Sequence, residues 1–491
     1  MPAAMTTWAA MFQSQVGDNV PAVLLDGRII RSSDLAELAA GAADWTSSLG
    51  VSDPSVLPAL LTTTAEAVAL AVAGATSGTP LAPLNPRLTA RELAVIIELL
   101  PGSVIIAEES FADLARDVGT RTGRRVAVVP ELTPSARGLH FDRPGDATAM
   151  ILHTSGTTGI PRSVAISQRK LALRSHLQGG IMGLGPGTSY TSFSPLPHIA
   201  GLGTLLVALA LGAAAIPTRP FSVDVWRDAA RYRPTHAMLV PTMFDILLAA
   251  DALQLESLRV LLYGSSSISP STLRRAMEVM PDVELLNMYG QTEGGPFTFL
   301  DGADHRRALD GHPELLLSVG RPIPCVELRI EEAGPGGVGQ VCARADHLFK
   351  ADPDGWLRTG DLGSLHDNYL FLSGRKGDII IRGGENIYPV EVDMVLAEHP
   401  QVAEAAVVGV PDHRLGQTVK AFLVARDPDD PPDLVELRAF ARERLAGFKV
   451  PTMWAFVDAL PRNAIGKVLR RELPTEPAES DAQRSREPLR P

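Results

Sequence analysis

Short apolar runs and longer helical patterns alternate along the first 150 residues. Four runs have the length of buried strands, at 56–60, 103–107, 126–130 and 149–152. Helical patterns separate them, from about Ser33 to Leu49, near Ala65–Gly74 and from Thr89, where Glu92 completes a capping arrangement. Before them, 23–34 suggests a hairpin that turns at Asp26-Gly27. This alternation predicts α/β layers with parallel sheet.

One apolar stretch, Ile199 to Ile216, is long enough to suggest a membrane span. It is uncharged over 18 residues, the lower bound for a spanning helix. However, Pro197 and Pro217 bracket it, glycines interrupt it, and no cationic flank follows. We therefore expect a buried core helix and no membrane span.

Toward the C-terminus the pattern changes twice. The run Gly334–Gly339 fits G-x-G-x-x-G, but strand-like residues lie on both sides, which predicts a hairpin turn rather than a dinucleotide site. After residue 388, helical and strand patterns alternate again, at 389–398, 402–410, 419–425 and 434–445. The tail 474–491 has no periodicity, and we expect it to be disordered.

Composition narrows the class of protein. The chain has 491 residues, a formal charge of −11 and a pI near 5.5, which argues against a nucleic-acid binder. Two cysteines, Cys325 and Cys342, cannot form a disulfide framework, and 1–14 does not resemble a signal peptide, so we expect a cytoplasmic protein. Six lysines among 45 basic residues indicate a bacterium with GC-rich coding.

The most informative stretch is 153–164, directly after the apolar run 149–152. Two glycines, three threonines and a serine occupy positions 154–159. Glycine permits tight backbone, and hydroxyl and backbone N–H groups can donate to phosphate oxygens. The Gly-Lys-Ser/Thr ending of the common nucleotide loop is missing. The stretch therefore predicts a triphosphate-binding loop, with a Ser/Thr-rich surface turn as the alternative.

Two further stretches carry matching chemistry. Residues 285–293 deliver the Tyr289 ring, the Thr292 hydroxyl and the Glu293 carboxylate within five positions. The ring can stack on a purine, the hydroxyl can contact an α-phosphate, and the carboxylate can bind Mg²⁺, which prefers oxygen ligands. In 354–363, Asp361 can accept charge-assisted hydrogen bonds from ribose hydroxyls. The alternative for this second stretch is a plain Gly-Asp turn between strands.

Together these motifs resemble the adenylate-forming superfamily of acyl-CoA synthetases, luciferases and peptide-synthetase adenylation domains. T-S-G-T-T-G-x-P, Y-G-x-T-E, T-G-D and a terminal P-R-x-x-x-G-K, which ends at Lys467, occur in family order over nearly the whole chain. Residues 383–392 are more similar to acyl-CoA synthetases than to peptide-synthetase domains, and this favours CoA as the acceptor.

The resemblance implies a two-domain α/β protein. The large N-terminal domain, 1–376, would contain layered α/β subdomains and a small β-rich subdomain. A hinge near Gly377 would connect it to a small mobile α+β C-terminal domain, 378–473. The family is also compatible with a homodimer.

The resemblance also implies the site residues. The catalytic set is Lys467, His198, Thr292 and Glu293, with Glu293 as the Mg²⁺ ligand. The ATP/AMP-binding set is Thr154, Ser155, Gly156, Thr157, Thr158, Gly159, Gly264, Ser265, Ser266, Asn287, Met288, Tyr289, Gly290, Asp361 and Arg375. The CoA and hinge set is Gly377, Arg382, Gly383 and Gly384. The acyl pocket would contain His198, Gly203, Val240, Ser267 and Gly294.

The implied function is an acyl-CoA ligase that uses ATP, Mg²⁺ and CoA to activate a hydrophobic carboxylic acid through an acyl-adenylate.

The chain departs from the family at two places, and the first departure leaves an alternative function open. Arg162 and Ser163 stand where relatives have Lys-Gly, and a side chain at Ser163 would be strained if the loop needs positive φ there. The enzyme would then mainly thioesterify a preformed acyl-adenylate. The other alternative is an adenylating enzyme that loads a carrier protein. The second departure is a short link between Arg344 and Asp354, where relatives have an insertion.

Overall fold

The computed structural model describes residues 7–25, 27–155, 161–463 and 466–475. Its helices are α1 (Trp8–Asp18), α2 (Ser32–Ser48), α3 (Ala65–Ser77), α4 (Ala90–Glu98), α5 (Ala112–Thr122), α6 (Gln168–Met182), α7 (Thr204–Ala210), α8 (Val223–Ala229), α9 (Pro241–Ala249), α10 (Pro270–Val279), α11 (Gly302–Leu309), α12 (Pro389–Ala397) and α13 (Leu434–Arg444).

The strands are β1 (Pro21–Leu25), β2 (Arg28–Arg31), β3 (Leu57–Leu60), β4 (Leu81–Pro83), β5 (Val104–Ala107), β6 (Arg125–Val128), β7 (Thr148–Ser155), β8 (Pro161–Ser167), β9 (Ser189–Ser192), β10 (Ala214–Ile216), β11 (His236–Leu239), β12 (Val260–Tyr263), β13 (Glu284–Gln291), β14 (Gly295–Leu300), β15 (Arg321–Pro322), β16 (Glu327–Glu331), β17 (Gly339–Arg344), β18 (Leu357–His366), β19 (Tyr369–Arg375), β20 (Ile380–Arg382), β21 (Glu385–Ile387), β22 (Val402–Asp412), β23 (Gly416–Ala425) and β24 (Met453–Phe456).

Two large, mainly parallel sheets form the N-terminal part. One has the order β15-β14-β13-β12-β11-β9-β10-β1-β2 and the other β6-β5-β3-β4-β7-β8. A single hydrophobic core contains α3 together with residues of both sheets, such as Val23 and Leu57. Helix α3 is apolar on nearly every side because it is buried between these layers.

Two smaller, mainly antiparallel units follow along the chain. Strands β16 to β19 form a four-stranded sheet, which corresponds to the expected β-rich subdomain. Strands β20 to β24 form a separate sheet with its own core, against which α12 and α13 pack. The α/β class with a large N-terminal part and a small C-terminal unit is confirmed. The boundary at Gly377 stays a prediction.

Several local predictions are confirmed. The 23–34 region is the antiparallel pair β1–β2, although Asp26 lies outside the described residues. Thr89 and Glu92 form a reciprocal capping box at α4. The Gly334–Gly339 segment connects the antiparallel strands β16 and β17, as expected of a hairpin turn.

The expectation of one core helix over 199–216 is wrong. The segment begins as a π-helical turn, Ile199–Gly203, continues as α7, and then forms strand β10. Gly212 has φ +77°, a conformation that ends the helix and lets the chain reverse into the sheet. None of the helices in the described ranges has both the length and the apolar character that a membrane crossing requires.

Candidate active site

Two antiparallel strand pairs, β7–β8 and β13–β14, come together at the site. The predicted phosphate loop connects β7 and β8, which pair antiparallel, and 156–160 lie outside the described residues. The turn at 292–294 connects β13 and β14. Thr154 Oγ1 donates a hydrogen bond to Glu293 Oε1 at 2.9 Å. The first phosphate-loop hydroxyl and the predicted Mg²⁺ ligand are therefore adjacent, although they are 139 positions apart in the chain.

Glycines determine how tightly the second hairpin can turn. A Cβ on Gly290 would lie 2.1 Å from the carbonyl oxygen of Gly295, and Gly295 itself has φ +71°. A side chain at either position is therefore excluded or strained. The glycine in Y-G-x-T-E thus allows the turn that carries Thr292 and Glu293.

Asp361, on β18, is the best-connected carboxylate of the cleft. Its Oδ2 accepts from the Tyr289 hydroxyl and from Gln291 Nε2, each at 2.7 Å, and its Oδ1 accepts from Arg375 Nε at 3.1 Å. Burial, and then Asp361, raises the pKa of Tyr289 well above its usual value, so its hydroxyl stays a donor. A carboxylate has about four acceptor positions, so the expected pair of ribose hydroxyls requires at least one of these donors to move.

The part of the predicted ATP/AMP-binding set that would contact adenine lies at the carboxyl ends of β12 and β13. Ser265 has φ +71°, rare for a residue with a side chain, and a Cβ on Gly264 would lie 2.9 Å from the carbonyl oxygen of Met288. Asn287 Nδ2 donates to the carbonyl oxygen of Tyr263 at 3.4 Å, whereas Asn287 Oδ1 is buried without a partner. An acceptor of this kind fits the exocyclic amine of adenine.

Most of these residues line a cleft of 710 Å³ that is bounded by the nine-stranded sheet, the four-stranded sheet and the C-terminal unit, whereas Thr154 and Glu293 are not part of its lining. The lining includes Gly264, Ser265, Ser266, Ser267, Asn287, Met288, Tyr289, Gly290, Asp361, Arg375 and Lys467. It does not include four residues that the sequence assigned to the acyl pocket, namely His198, Gly203, Val240 and Gly294.

Lys467 reaches this cleft from the C-terminal unit. The preceding Gly466 has φ +76°, and a Cβ there would lie 3.1 Å from Thr242 Oγ1 at the start of α9. Burial, and then the charge of Arg375, lowers the pKa of Lys467, while Asp361 raises it. The charges of Arg375 and Asp361 therefore act on Lys467 within this cleft.

An acid of the C-terminal unit, Asp393, also lines the cleft. Asp393 forms an ion pair with Arg470 and accepts from the Val407 N–H at 2.7 Å. Burial raises the pKa of Asp393 to about 6, and the charge of Arg470 opposes that rise. None of the sequence motifs indicated that these residues line the site.

Of the predicted acyl residues, Ser267 lines the cleft, whereas His198, Gly203, Val240 and Gly294 lie outside its lining. His198 immediately precedes the π-helical turn, and burial lowers its pKa to about 4, so the ring is neutral at pH 7. Its Nε2 is buried without a partner. Val240 Cγ2 would lie 3.5 Å from a Cβ on Gly466, and a Cβ on Gly294 would collide with Phe297 at 2.3 Å.

The predicted CoA residues lie outside the cleft lining, in or before the β20–β21 turn. Gly383 and Gly384 have φ +60° and +91°, and Arg382 Nη1 donates to the carbonyl oxygen of Phe448 at 2.5 Å. Gly377 is in a short 3-10 turn, and a Cβ there would contact nothing within 4 Å. A hinge and a CoA role for these residues stay predictions.

Mg²⁺ fits the donor set around Glu293 only with help from a ligand. Mg²⁺ favors octahedral oxygen coordination and usually combines one or two carboxylates with substrate phosphates. In the described part of the chain no three His, Cys, Asp or Glu side chains are grouped to hold a metal. Glu293 would therefore hold the ion together with triphosphate oxygens.

The expectation of positive φ at Ser163 is wrong. Ser163 lies within β8, exposed and paired with His153, and it is absent from the residues with positive φ. Its backbone is extended, a conformation that any residue can adopt. Arg162 is likewise exposed, opposite Thr154. The strain argument for impaired adenylation therefore does not hold.

Gln291, on the nucleotide side of the site, was not predicted from the sequence. Gln291 Nε2 donates both to Asp361 Oδ2 and to the carbonyl oxygen of Thr359, each at 2.7 Å. It occupies the variable letter of Y-G-x-T-E, which the motif leaves undefined. Its position two residues after Tyr289, on the same face of β13, was the available signal.

Comparison with known proteins places this geometry in a family. The AMP-binding enzyme family matches residues 13–351, and the AMP-binding enzyme C-terminal domain matches 391–467. The chain therefore belongs to the AMP-binding enzyme family.

Three relatives have names that state three different reactions. A fatty acid–acyl-carrier-protein ligase of Streptomyces coeruleorubidus is 32% identical, over 94% of each chain. The amide bond synthetase of Marinactinospora thermotolerans superposes with a TM-score of 0.85 at 29% identity, covering 95% of this chain and 99% of that one. O-succinylbenzoate coenzyme A synthetase of Bacillus subtilis, in complex with ATP and magnesium ion, gives 0.84 at 28%, with 95% and 99% covered.

Proposed function

We propose that this protein is an AMP-forming acid–CoA ligase. The observation that carries the proposal is the position of Lys467 in one cleft with Asp361 and Arg375, since a cation there can stabilize charge on a reacting phosphate. The family and the CoA ligase among its solved relatives support the same reaction.

The first half-reaction joins the acid to AMP. A carboxylate oxygen attacks the α-phosphorus of ATP, the bond to the bridging oxygen breaks, and pyrophosphate leaves in line. Lys467 and Thr292 would contact the α-phosphate, and Glu293, oriented by Thr154, would hold Mg²⁺ against the triphosphate. The ion, when bound, neutralizes charge on the leaving pyrophosphate.

In the second half-reaction the CoA sulfur attacks the acyl carbonyl and AMP leaves. The β20–β21 turn with Gly383 and Gly384 would then face the cleft after rotation about Gly377. His198, neutral and with a free Nε2, would lie beside the reacting carboxyl group. The apolar surroundings, including Phe297, favor an acid with an apolar body.

A second candidate is transfer to a carrier protein, which the Streptomyces relative favors. The composition supports a bacterial and cytoplasmic setting, in which Cys325 and Cys342 stay free thiols. A homodimer is compatible with the family but has no specific support in the chain.

The test offers ATP, Mg²⁺ and a panel of carboxylic acids, first alone and then with CoA or a phosphopantetheinylated carrier. We expect acid-dependent pyrophosphate release and a CoA thioester detected by mass spectrometry. Release of pyrophosphate with transfer only to the carrier would select the second candidate. Absence of pyrophosphate with every acid would refute both.

A further inference from the structure

Helix α6 carries a buried arginine that the proposed reaction does not use. Arg174 is 3% exposed. Its Nε donates to Gln178 Oε1 at 2.8 Å, and its Nη2 donates to the carbonyl oxygen of Ile199 and to Thr204 Oγ1, each at 3.2 Å. Nη1 is buried and has no partner.

The charge of Arg174 is also unpaired. Its recorded partners are an amide, a carbonyl and a hydroxyl, and no ion pair to it occurs among the described carboxylates. Burial lowers its pKa to about 10, which still leaves it charged at pH 7. A buried charge without a counter-ion is costly, and proteins normally pair it or bind an anion beside it.

The free Nη1 lies beside the acyl half of the site. It is 2.5 Å from where a Cβ on Gly203 would be, and Arg174 Cδ is 3.9 Å from the corresponding point on Gly295. Nη2 connects the two ends of the π-helical turn that follows His198. Ile199 Cδ1 lies 2.7 Å from the same Gly203 point, so Nη1 and the Ile199 side chain pack against the same glycine.

Neighboring polar groups do not supply the missing anion. His347 donates from Nε2 to the carbonyl oxygen of Pro296 at 2.9 Å, and burial, followed in importance by Arg174, lowers its pKa, so it is neutral. The buried Tyr190 hydroxyl lies at a separate cavity of 20 Å³, large enough for about one water molecule. Arg174 does not line that cavity, so this water would not satisfy Nη1.

We propose that the acid activated by this enzyme carries a second anionic group, a carboxylate at its far end, which binds Arg174 Nη1. This inference rests on the proposed function. Guanidinium–carboxylate hydrogen bonds are among the strongest that proteins make, so the far carboxylate would supply both the counter-charge and the specificity. Arg174 is then the specificity-determining residue of the acyl side.

The test compares matched acids of increasing length. For each chain length, an α,ω-dicarboxylate and the monocarboxylate with a terminal methyl group are assayed by ATP-dependent pyrophosphate release. We expect kcat/KM for the best dicarboxylate to exceed that of its monocarboxylate by roughly 10–100-fold, the value of a charged hydrogen bond. Arg174→Met should abolish this ratio, and Arg174→Lys should restore part of it.

The control is Arg169→Met, on the same helix but exposed, which should keep the wild-type ratio. Equal use of both acids by the wild type, or a ratio unchanged in Arg174→Met, overturns the inference while the proposed function stands. No pyrophosphate with any acid refutes the proposed function instead. If Arg174→Met does not fold, the wild-type ratio decides.

Discussion

The nucleotide side and the acyl side of the cleft differ in how their buried polar atoms are paired. Around Asp361, donors from Tyr289, Gln291 and Arg375 converge on one carboxylate before any ligand is present. On the acyl side, Arg174 Nη1 and His198 Nε2 have no hydrogen-bond partner among the described residues. A paired network is preorganized, whereas unpaired atoms leave binding capacity for a ligand to fill.

The exception on the nucleotide side agrees with this contrast. Asn287 Oδ1 is unpaired there, but it is a neutral acceptor, whereas Arg174 is a charged donor. The two atoms therefore predict different ligands, an amine of a base on one side and an anion on the other. The unpaired atoms of the acyl side therefore indicate the chemistry of the acid more directly than the family motifs do.

Removing Lys467 should have the largest effect on this comparison, because the nucleotide side would then lack the cation that the C-terminal unit supplies. We expect Lys467→Ala to slow acid-dependent pyrophosphate release by roughly 10²–10³-fold, as for loss of one transition-state donor. CoA capture of a supplied acyl-adenylate should be spared. Arg471→Ala, an exposed cation on the same segment, is the control. An equal loss in both half-reactions would contradict the assigned role.

Asp361→Asn tests the paired network directly. The change leaves three donors, from Tyr289, Gln291 and Arg375, with one neutral amide oxygen, so AMP affinity should fall by roughly 10–100-fold. The ligand-free protein should also lose about 1–3 kcal/mol of unfolding free energy. Calorimetry and denaturant unfolding measure the two effects. Arg174→Met removes a buried unpaired charge but also three hydrogen bonds, so we expect it to lose less ligand-free stability than Asp361→Asn. If both variants lose the same stability, the contrast between the two sides is wrong.

Gly377→Pro tests whether the C-terminal unit moves between the two half-reactions. Proline fixes φ and should hold the C-terminal unit in one orientation, so one half-reaction should fall by about tenfold or more relative to the other. Gly377→Ala is the matched control, because a Cβ there meets open space. Stopped-flow measurement of each half-reaction decides. Wild-type rates for both in the proline variant would place the hinge elsewhere.

The sequence predicts the nucleotide side of the cleft better than the acyl side. The family motifs singled out Thr154, Glu293, Asp361 and Lys467, whose roles stay predictions. Arg174 was missed because its significance depends on partners 25 and 30 positions away, which no local pattern connects. The run 199–216 was misread because its apolar residues suit a helix and a buried strand equally well, and only the conformation of Gly212 separates them.

The smallest expected effect concerns the two departures beside the phosphate loop. Ser163 is exposed, extended and paired within β8, so Ser163→Gly relieves no strain, and Arg162→Lys keeps a cation opposite Thr154. We expect the double variant to release pyrophosphate within about twofold of the wild type, because exposed substitutions without a structural role rarely exceed ±0.5 kcal/mol. Both proteins are assayed with the same acid, and the single variants separate charge from backbone effects. A gain of about fivefold or more, roughly 1 kcal/mol in the barrier, would show that loop geometry limits adenylation. The nucleotide side would then be the deficient one, and an enzyme that depends on a preformed acyl-adenylate would again explain the chain.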